Sequence, residues 1–331
     1  MTVLAADPFG PLFSPAASAA LLGLALLYLR GAAHPRLAGA PNMRRHALFA
    51  AGAGLLVLSV DGPLAAAGHR LFAAHQLQHL VIRLLGPMLI VLARPWPVLR
   101  AGLPRPARRA LARTGERPAA RIAARLLGRV DVSFGLLVVA LYLWQVPALH
   151  NAAVGLPSLV LLAHATMALA GLNFFAVVFD PHDPPQGAAH GRRLLALVGV
   201  ILSNILLGSL TTLKEAAIYT AYGIAKRAGG FTPMGDEVTG GYTIWVPSSF
   251  VIVAAIILVF NGWNRAEERR WNARGSRGGS NSAALEFPET AWELHLKVTG
   301  PNRRLGRVLG LISAAMFAGV MITGIALIYA L

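Results

Sequence analysis

Long apolar runs follow one another along this chain, and shorter polar connections separate them. A helix needs about 20 apolar residues to cross a bilayer, and only helices or closed barrels satisfy their backbone groups in lipid. Uniform runs of this length favour helices over the weak ten-residue alternation of a barrel. We therefore predict an all-α, polytopic transmembrane helix bundle of about eight spans, at residues 13–30, 46–62, 71–93, 133–149, 156–179, 193–213, 240–262 and 307–329.

The composition agrees with a membrane protein and narrows the kinds of site that the chain can hold. Of the 331 residues, 56% are hydrophobic and 13% are charged, and the mean hydropathy is +0.58. The absence of cysteine excludes disulfides and thiolate ligands, so a metal site has to use His, Asp, Glu or Met. Because the N-terminus lacks the basic region of a signal peptide, the first apolar run is predicted to be a retained span.

The basic residues are distributed unevenly among the connections. The connections after the first, third, fifth and seventh spans hold nearly all of them, whereas the alternate connections hold only Arg70, Lys214, Lys226 and Arg227. By the positive-inside rule, this asymmetry places both termini outside the cytoplasm, in a bacterial inner membrane. Topology accounts for the arginines, so we expect no nucleic-acid partner. The arginine-rich connection 94–129 is predicted either to lie on anionic membrane lipid or to be a solvated loop.

The third predicted span carries a polar stripe, in which His75, His79 and Arg83 follow one another at a spacing of four residues. Lipid exposure of a central arginine costs about 2.5–3.5 kcal/mol, so the stripe has to face the bundle or water. The predicted topology places further polar side chains on the same outer side of the membrane: Asp61, His69, His150, His164, Asp236 and Glu237. Histidines and carboxylates that converge from facing helices are typical of a metal site.

Each of these residues also has an interpretation in which it serves the structure alone. A histidine in a membrane helix often hydrogen-bonds a neighbouring carbonyl group instead of a metal. Asp61 precedes Gly-Pro and could shape a turn, and Asp236 could cap the helix that follows it. His150 could be a ligand on an entry route. Met167 is more typical of core packing than of a soft metal ligand.

Four segments occur in an order that is specific to one family. They are "VDGPLAAAGHRLFAAHQLQHLVIRLLGPMLIVLARPW", "LWQVPALHNAAV", "LVLLAHATMALAGLNFFAVVFDP" and "IYTAYGIAKRAGGFTPMGDEVTGGYTIWVPSS". Their Asp-x-Pro-Leu segment, H-x-x-Q-H helix, second His-bearing helix and Trp-x-Pro motif resemble the CtaG family of cytochrome c oxidase assembly factors. Those proteins are polytopic bacterial membrane proteins linked to copper. The resemblance covers about residues 55–262.

The resemblance implies a non-enzymatic assembly factor that binds copper at the outer side of the membrane. It would deliver the copper to a cytochrome c oxidase subunit or an assembly intermediate. It implies a metal-handling set of His75, His79, His164 and Asp236, supported by Asp61, Gln78 and Trp245. We add as candidates His150, Met167 and Glu237. The chain departs from the family pattern in four places, since Gln76 and Ile244 replace common methionines, Val160 replaces a histidine and Glu237 replaces a glutamine.

We predict one transmembrane domain over residues 1–331, in which a cytoplasmic linker at about 263–306 precedes an extra C-terminal span at about 307–331. The main alternative function is a haem-binding membrane b-type cytochrome, a redox protein. In it, histidines of facing helices such as His79 and His164 would ligate the iron. A transporter or proton path ranks last, because no polar relay continues towards the cytoplasm beyond Arg83.

Overall fold

The computed structural model describes residues 15–34, 43–222, 230 and 232–275, together with isolated residues between 303 and 315. Within these ranges the chain forms helices and no strand, which confirms the predicted all-α class. In chain order the helices are α1 (Pro15–Ala32), α2 (Met43–Val60), α3 (Pro63–Gly68), α4 (Phe72–Leu80), a π-helical turn (Val81–Leu85), α5 (Gly86–Leu92), α6 (Trp96–Gly102), α7 (Arg105–Glu116), α8 (Pro118–Leu127), α9 (Val130–Leu143), α10 (Pro147–Gly155), α11 (Pro157–Val178), α12 (His190–Thr212) and α13 (Pro233–Gly275).

Five of the described helical segments are long and apolar enough to cross a membrane. A sixth crossing exists if α8 and α9, which meet at a bend of 78°, form one broken span. By length and composition the chain is therefore a multi-pass membrane protein. The five segments are Met43–Gly68, Phe72–Leu92, Pro157–Val178, His190–Thr212 and Pro233–Arg269.

The eight spans predicted from the sequence agree only in part with these five membrane-spanning segments. The apolar part of α1, Ala17–Ala32, is shorter than the other crossings. The predicted span 133–149 is interrupted, because α9 ends at Leu143 and Val146 takes an extended conformation before Pro147. The predicted span 307–329 lies almost entirely outside the described residues. The count of eight and the extracytoplasmic position of both termini therefore stay predictions.

The segment Phe72–Leu92 is the most buried of the five and runs through the middle of the bundle. It consists of α4, the π turn and α5, and α2 and α11 both pack against it. Gly171 of α11 permits a close approach, because a Cβ atom there would lie 2.0 Å from the carbonyl oxygen of Arg83. Hence α11 rests directly on the backbone of the π turn.

The chain divides into two compact units, residues 1–264 and 265–331. Every residue in the following sections belongs to the first unit. The helix α13 continues to Gly275, into the region where the linker 263–306 is predicted to begin. The rest of that linker lies outside the described residues, and the single-domain organisation stays a prediction.

Candidate functional site

Four histidine side chains from three helices meet in one buried group, here called the histidine cluster: His75 and His79 of α4, His150 of α10, and His164 of α11. The ring centroids of His75 and His79 lie 4.3 Å apart, and those of His79 and His164 lie 6.0 Å apart. The His150 ring lies 4.9 Å from His75 and 6.2 Å from His79. The four rings line a small cavity with a volume of about 10 Å³. That space suits one water molecule or one ion.

Backbone carbonyl groups fix the tautomer of two of these histidines. The Nδ1 atom of His75 lies 3.3 Å from the Gly68 oxygen, and Nδ1 of His150 lies 3.0 Å from the Trp144 oxygen. A carbonyl oxygen only accepts, so both Nδ1 atoms carry the proton and both Nε2 atoms keep a lone pair. Histidines that ligate metals are oriented in the same way, by donating their other ring N–H to a carbonyl or carboxylate.

The Nε2 atoms of the cluster have different partners. His79 donates to the lone pair of His75, since their Nε2 atoms lie 2.8 Å apart. The hydroxyl of Tyr222 donates to Nε2 of His150 at 2.9 Å. The buried Nε2 atom of His164 has no hydrogen-bond partner among the described residues. Burial lowers the pKa of His150 to about 4, so this ring is neutral at physiological pH and keeps the form that binds metals.

Hydrogen bonds and ring packing set the spacing of the cluster. Within the described part of the chain, no group of three His, Asp or Glu side chains is already placed to hold a metal ion. Ion binding at the cluster would require His79 to lose the Nε2 proton that it donates and the neighbouring rings to turn. The donor set fits a metal, but the coordination geometry is not preformed.

Asp236 contacts the helix that carries His75 and His79. Its Oδ2 accepts a hydrogen bond from the backbone N–H of Phe72 at 2.8 Å, and its Oδ1 accepts one from Ala73 at 3.0 Å. The carboxylate is fully buried and caps the N-terminus of α4, where negative charge is favoured. The prediction that Asp236 caps the helix that follows it is wrong. Asp236 lies within the first turn of that helix, α13, and its carboxylate caps α4 instead. Its role as a direct ligand stays a prediction.

Glu237 holds the segment after α12, residues 213–222, which we call the tyrosine segment. Its carboxylate accepts hydrogen bonds from the backbone N–H groups of Ile218 at 3.1 Å and Tyr219 at 2.9 Å. It also pairs with the ammonium group of Lys214. Two consecutive acidic residues thus fasten two different elements around the cluster.

The tyrosine segment covers the histidine cluster with two buried aromatic rings. Tyr219 stacks on Phe72 with a centroid distance of 4.2 Å and donates to the backbone oxygen of Gln145 at 2.9 Å. Burial raises the pKa of Tyr219 to about 12, so its hydroxyl stays a donor. Tyr222 is 1% exposed and lies 5.8 Å from the His150 ring, between centroids.

Buried glutamines join α4 to its neighbours. The side chains of Gln76 and Gln145 donate to each other's carbonyl oxygens, which ties α4 to the turn after α9. Gln78 donates from Nε2 to the Ser59 oxygen at 2.6 Å, near the end of α2. Gln78 thus supports α4 from the end of α2, and Gln76 makes a buried polar contact.

The other predicted supporting residues lie away from the cavity lining. Asp61 follows the last residue of α2, and its N–H donates to the Val57 oxygen at 3.0 Å. Met167 is fully buried in the apolar core. Trp245 packs against Gly208, where a Cβ atom would lie 2.4 Å from the indole ring.

Arg83 is 2% exposed, so the polar stripe faces the interior of the bundle as predicted. Its guanidinium donates to Oδ1 of Asn204 at 3.1 Å, and its Nε has no partner among the described residues. No carboxylate within the described ranges forms an ion pair with it. The histidine cluster therefore has an uncompensated positive charge one helical turn away.

The sequence reasoning missed Trp144, Gln145, Tyr219 and Tyr222 as parts of the site. The available signal was the sequence "IYTAYG", which places two aromatic residues three apart in a short connection between spans. Such a pattern identifies an amphipathic segment but not the element that it covers.

The sequence model of one family, described as "Cytochrome c oxidase caa3 assembly factor (Caa3_CtaG)", matches residues 26–266. The match covers well over half of the chain, contains every residue of the histidine cluster, and begins earlier than the resemblance at about residue 55. Neither the curated proteins nor the solved structures contain a significant match to this chain.

Proposed function

The chain belongs to the family of cytochrome c oxidase caa3 assembly factors, and we propose that it binds one copper ion at the histidine cluster and passes it to an oxidase subunit or an assembly intermediate. The observation that carries this proposal is the meeting of four buried imidazoles around a cavity of single-ion size. Imidazole is a good ligand for copper. The transfer takes place on the extracytoplasmic side of a bacterial inner membrane.

The ligand set consists of His75, His79 and His164, with His150 as the fourth member. His75 and His150 are already oriented by the carbonyl groups of Gly68 and Trp144. His164 contributes a buried nitrogen that an ion would satisfy. Asp236 acts mainly through α4, because both of its oxygens accept backbone hydrogen bonds from that helix.

The tyrosine segment supplies a route for release. Tyr222 occupies the Nε2 atom of His150, so its hydroxyl competes with copper for that nitrogen. The outer side chains of the segment, such as Glu215 and Ile218, are exposed. Displacement of Tyr222 by a recipient protein would uncover the cluster from this side. A carrier needs such an exchangeable ligand, because it has to give up its cargo.

The haem alternative has less support from the site. A macrocycle has to fit between its two axial histidines. The cavity beside His79 and His164 has room for an ion or a water molecule and none for a macrocycle. The geometry therefore favours an ion as the occupant.

The test is metal binding by the full chain purified in detergent. Cu(I), Cu(II) and Zn(II) are each titrated against a competing chelator, and bound metal is counted by elemental analysis. We expect one copper per chain in the wild type and a loss of at least about tenfold in affinity for His79→Gln and for His164→Gln, since each removes one ligand.

The matched control is His190→Gln. His190 is also buried, at 9% exposure, but it stacks on Trp263 outside the cluster, with a centroid distance of 5.8 Å. This variant should keep the copper affinity of the wild type. Wild-type binding no tighter than that of the two cluster variants would remove the proposal, and so would a haem absorption band in the purified protein.

A further inference from the structure

A second polar site lies away from the histidine cluster, in a cleft between the end of α1 and the start of α7. The cleft has a volume of about 410 Å³. Three arginines and a histidine contribute to its wall, together with small and apolar residues of the α6–α7 connection. The lining residues are Arg30, His34, Ala101, Leu103, Pro104, Arg105 and Arg108.

The wall of this cleft is built by close packing of two helices. A Cβ atom at Gly31 of α1 would lie 1.9 Å from the Val98 oxygen, and one at Gly102 of α6 would lie 2.1 Å from the Leu27 oxygen. Each glycine therefore lets its own helix lie against the backbone of the other. This contact fixes Arg30, at the end of α1, opposite Arg105 and Arg108 of α7.

Among the described residues, the lining of the cleft is strongly positive and contains no acidic side chain. Arginine presents a planar fork of N–H donors that matches the oxygens of a phosphate group. The volume of the cleft gives ample room for a phosphate group and the glycerol unit that it esterifies. Both the charge and the volume suit a phosphate diester.

The elements around the cleft place it at the edge of the apolar region. α1 is apolar until Arg30 in its last turn. The following helices α7 and α8 have no buried residue. Both are amphipathic, with arginines on one side of the helix and apolar residues on the other. Leu111, Ile122 and Leu126 stay exposed on their apolar sides. Helices with these properties lie in the headgroup layer of a membrane.

We propose that this cleft binds the phosphate of an anionic membrane phospholipid, with Arg30 and Arg108 as its principal contacts and Arg105 at the rim. The lipid would anchor the corner between α6 and α7 while α7 and α8 lie along the surface. This site is independent of copper binding, because none of its residues lines the histidine cavity.

The test is native mass spectrometry of the full chain in detergent. The probes are dioleoyl phosphatidylglycerol and, at equal concentration, dioleoyl phosphatidylcholine. We expect the wild type to bind the anionic lipid about tenfold more tightly, and the double variant Arg30→Gln/Arg108→Gln to lose about tenfold in that affinity, as expected for charge-assisted contacts. Arg105→Gln provides a milder variant if the double one fails to fold.

The matched control is Arg121→Gln/Arg125→Gln, which removes the same charge from the exposed surface of α8. It should change the affinity less than about twofold, because water and salt screen exposed charges that do not contact the lipid phosphate directly. An equal loss in both double variants would overturn the proposal in favour of a general charge effect. Displacement of the lipid by equimolar inorganic phosphate would overturn it in favour of a site for a free anion.

Discussion

The histidine cluster and the helices α7 and α8 both place polar side chains in a largely apolar chain, but they do so in opposite ways. In the cluster, polar groups are buried and most have one identified partner. On α7 and α8 the arginines are largely exposed, and no residue of either helix is buried. The energetic contribution of a buried polar group depends on the identity and distance of its partner. That of exposed charges depends mainly on their number and sign.

Removal of the α4 cap should have the largest effect. Asp236→Ala leaves the buried N–H group of Phe72 and the partly buried N–H group of Ala73 without their acceptors. We expect a loss of about 3 kcal/mol in the free energy of unfolding, since each unsatisfied buried group costs about 1–3 kcal/mol. Unfolding in mixed detergent micelles, followed by circular dichroism, measures the change. Asp236→Asn keeps one acceptor oxygen and should lose less; equal stability of Asp236→Ala and wild type would contradict the capping role.

The charge of Arg83 gives the second prediction. As a general scale, two positive charges about 10 Å apart repel each other by roughly 1.5 kcal/mol at an effective dielectric constant near 20. Arg83→Met should therefore bind copper about tenfold more tightly than the wild type. The fold should tolerate the change, because apolar replacement of a buried charge is often neutral or stabilising.

Chelator competition on the full chain measures this affinity. Arg83→Lys keeps a positive charge at the same position and should bind copper as the wild type does. A methionine variant that binds no more tightly than the lysine variant would show that Arg83 does not oppose the cation in the cluster.

The hydroxyl of Tyr222 gives the third and smaller effect. Tyr222→Phe removes the donor to Nε2 of His150 and should lower stability by about 1 kcal/mol, the usual value of one hydrogen bond. It should also slow copper release to a chelator in stopped-flow measurements, since the hydroxyl no longer competes with copper for Nε2 of His150. The matched control Tyr142→Phe removes a hydroxyl that donates to the Ser203 oxygen at 3.1 Å. It should cost similar stability and leave the exchange rate unchanged; equal rates in both variants would argue against the tyrosine segment as the release route.

The comparison of the two regions also explains what the sequence could predict. The helices follow from hydropathy, and the adjacency of His75 and His79 follows from helical spacing, because both depend on local periodicity. Sequence order alone could not show that Asp236 caps a helix 164 positions away from it or that Glu237 fastens the tyrosine segment. These contacts depend on tertiary packing. The position of His150 in the cluster could not be predicted for the same reason, since the turn at Trp144 and the Tyr222 hydroxyl set it.

The exposed ion pair between Arg129 and Asp131 should show the smallest effect and complete the contrast with Asp236. Its guanidinium and carboxylate lie 2.6 Å apart, yet both side chains are more than half exposed. Water and salt screen such a pair, so Asp131→Asn should leave the unfolding transition within experimental error at physiological ionic strength. Parallel unfolding of Asp131→Asn and Asp236→Asn in the same micelles compares the two carboxylates directly. Similar losses in the two variants would show that burial does not set the value of a carboxylate in this protein, and the distinction between its two polar regions would fail.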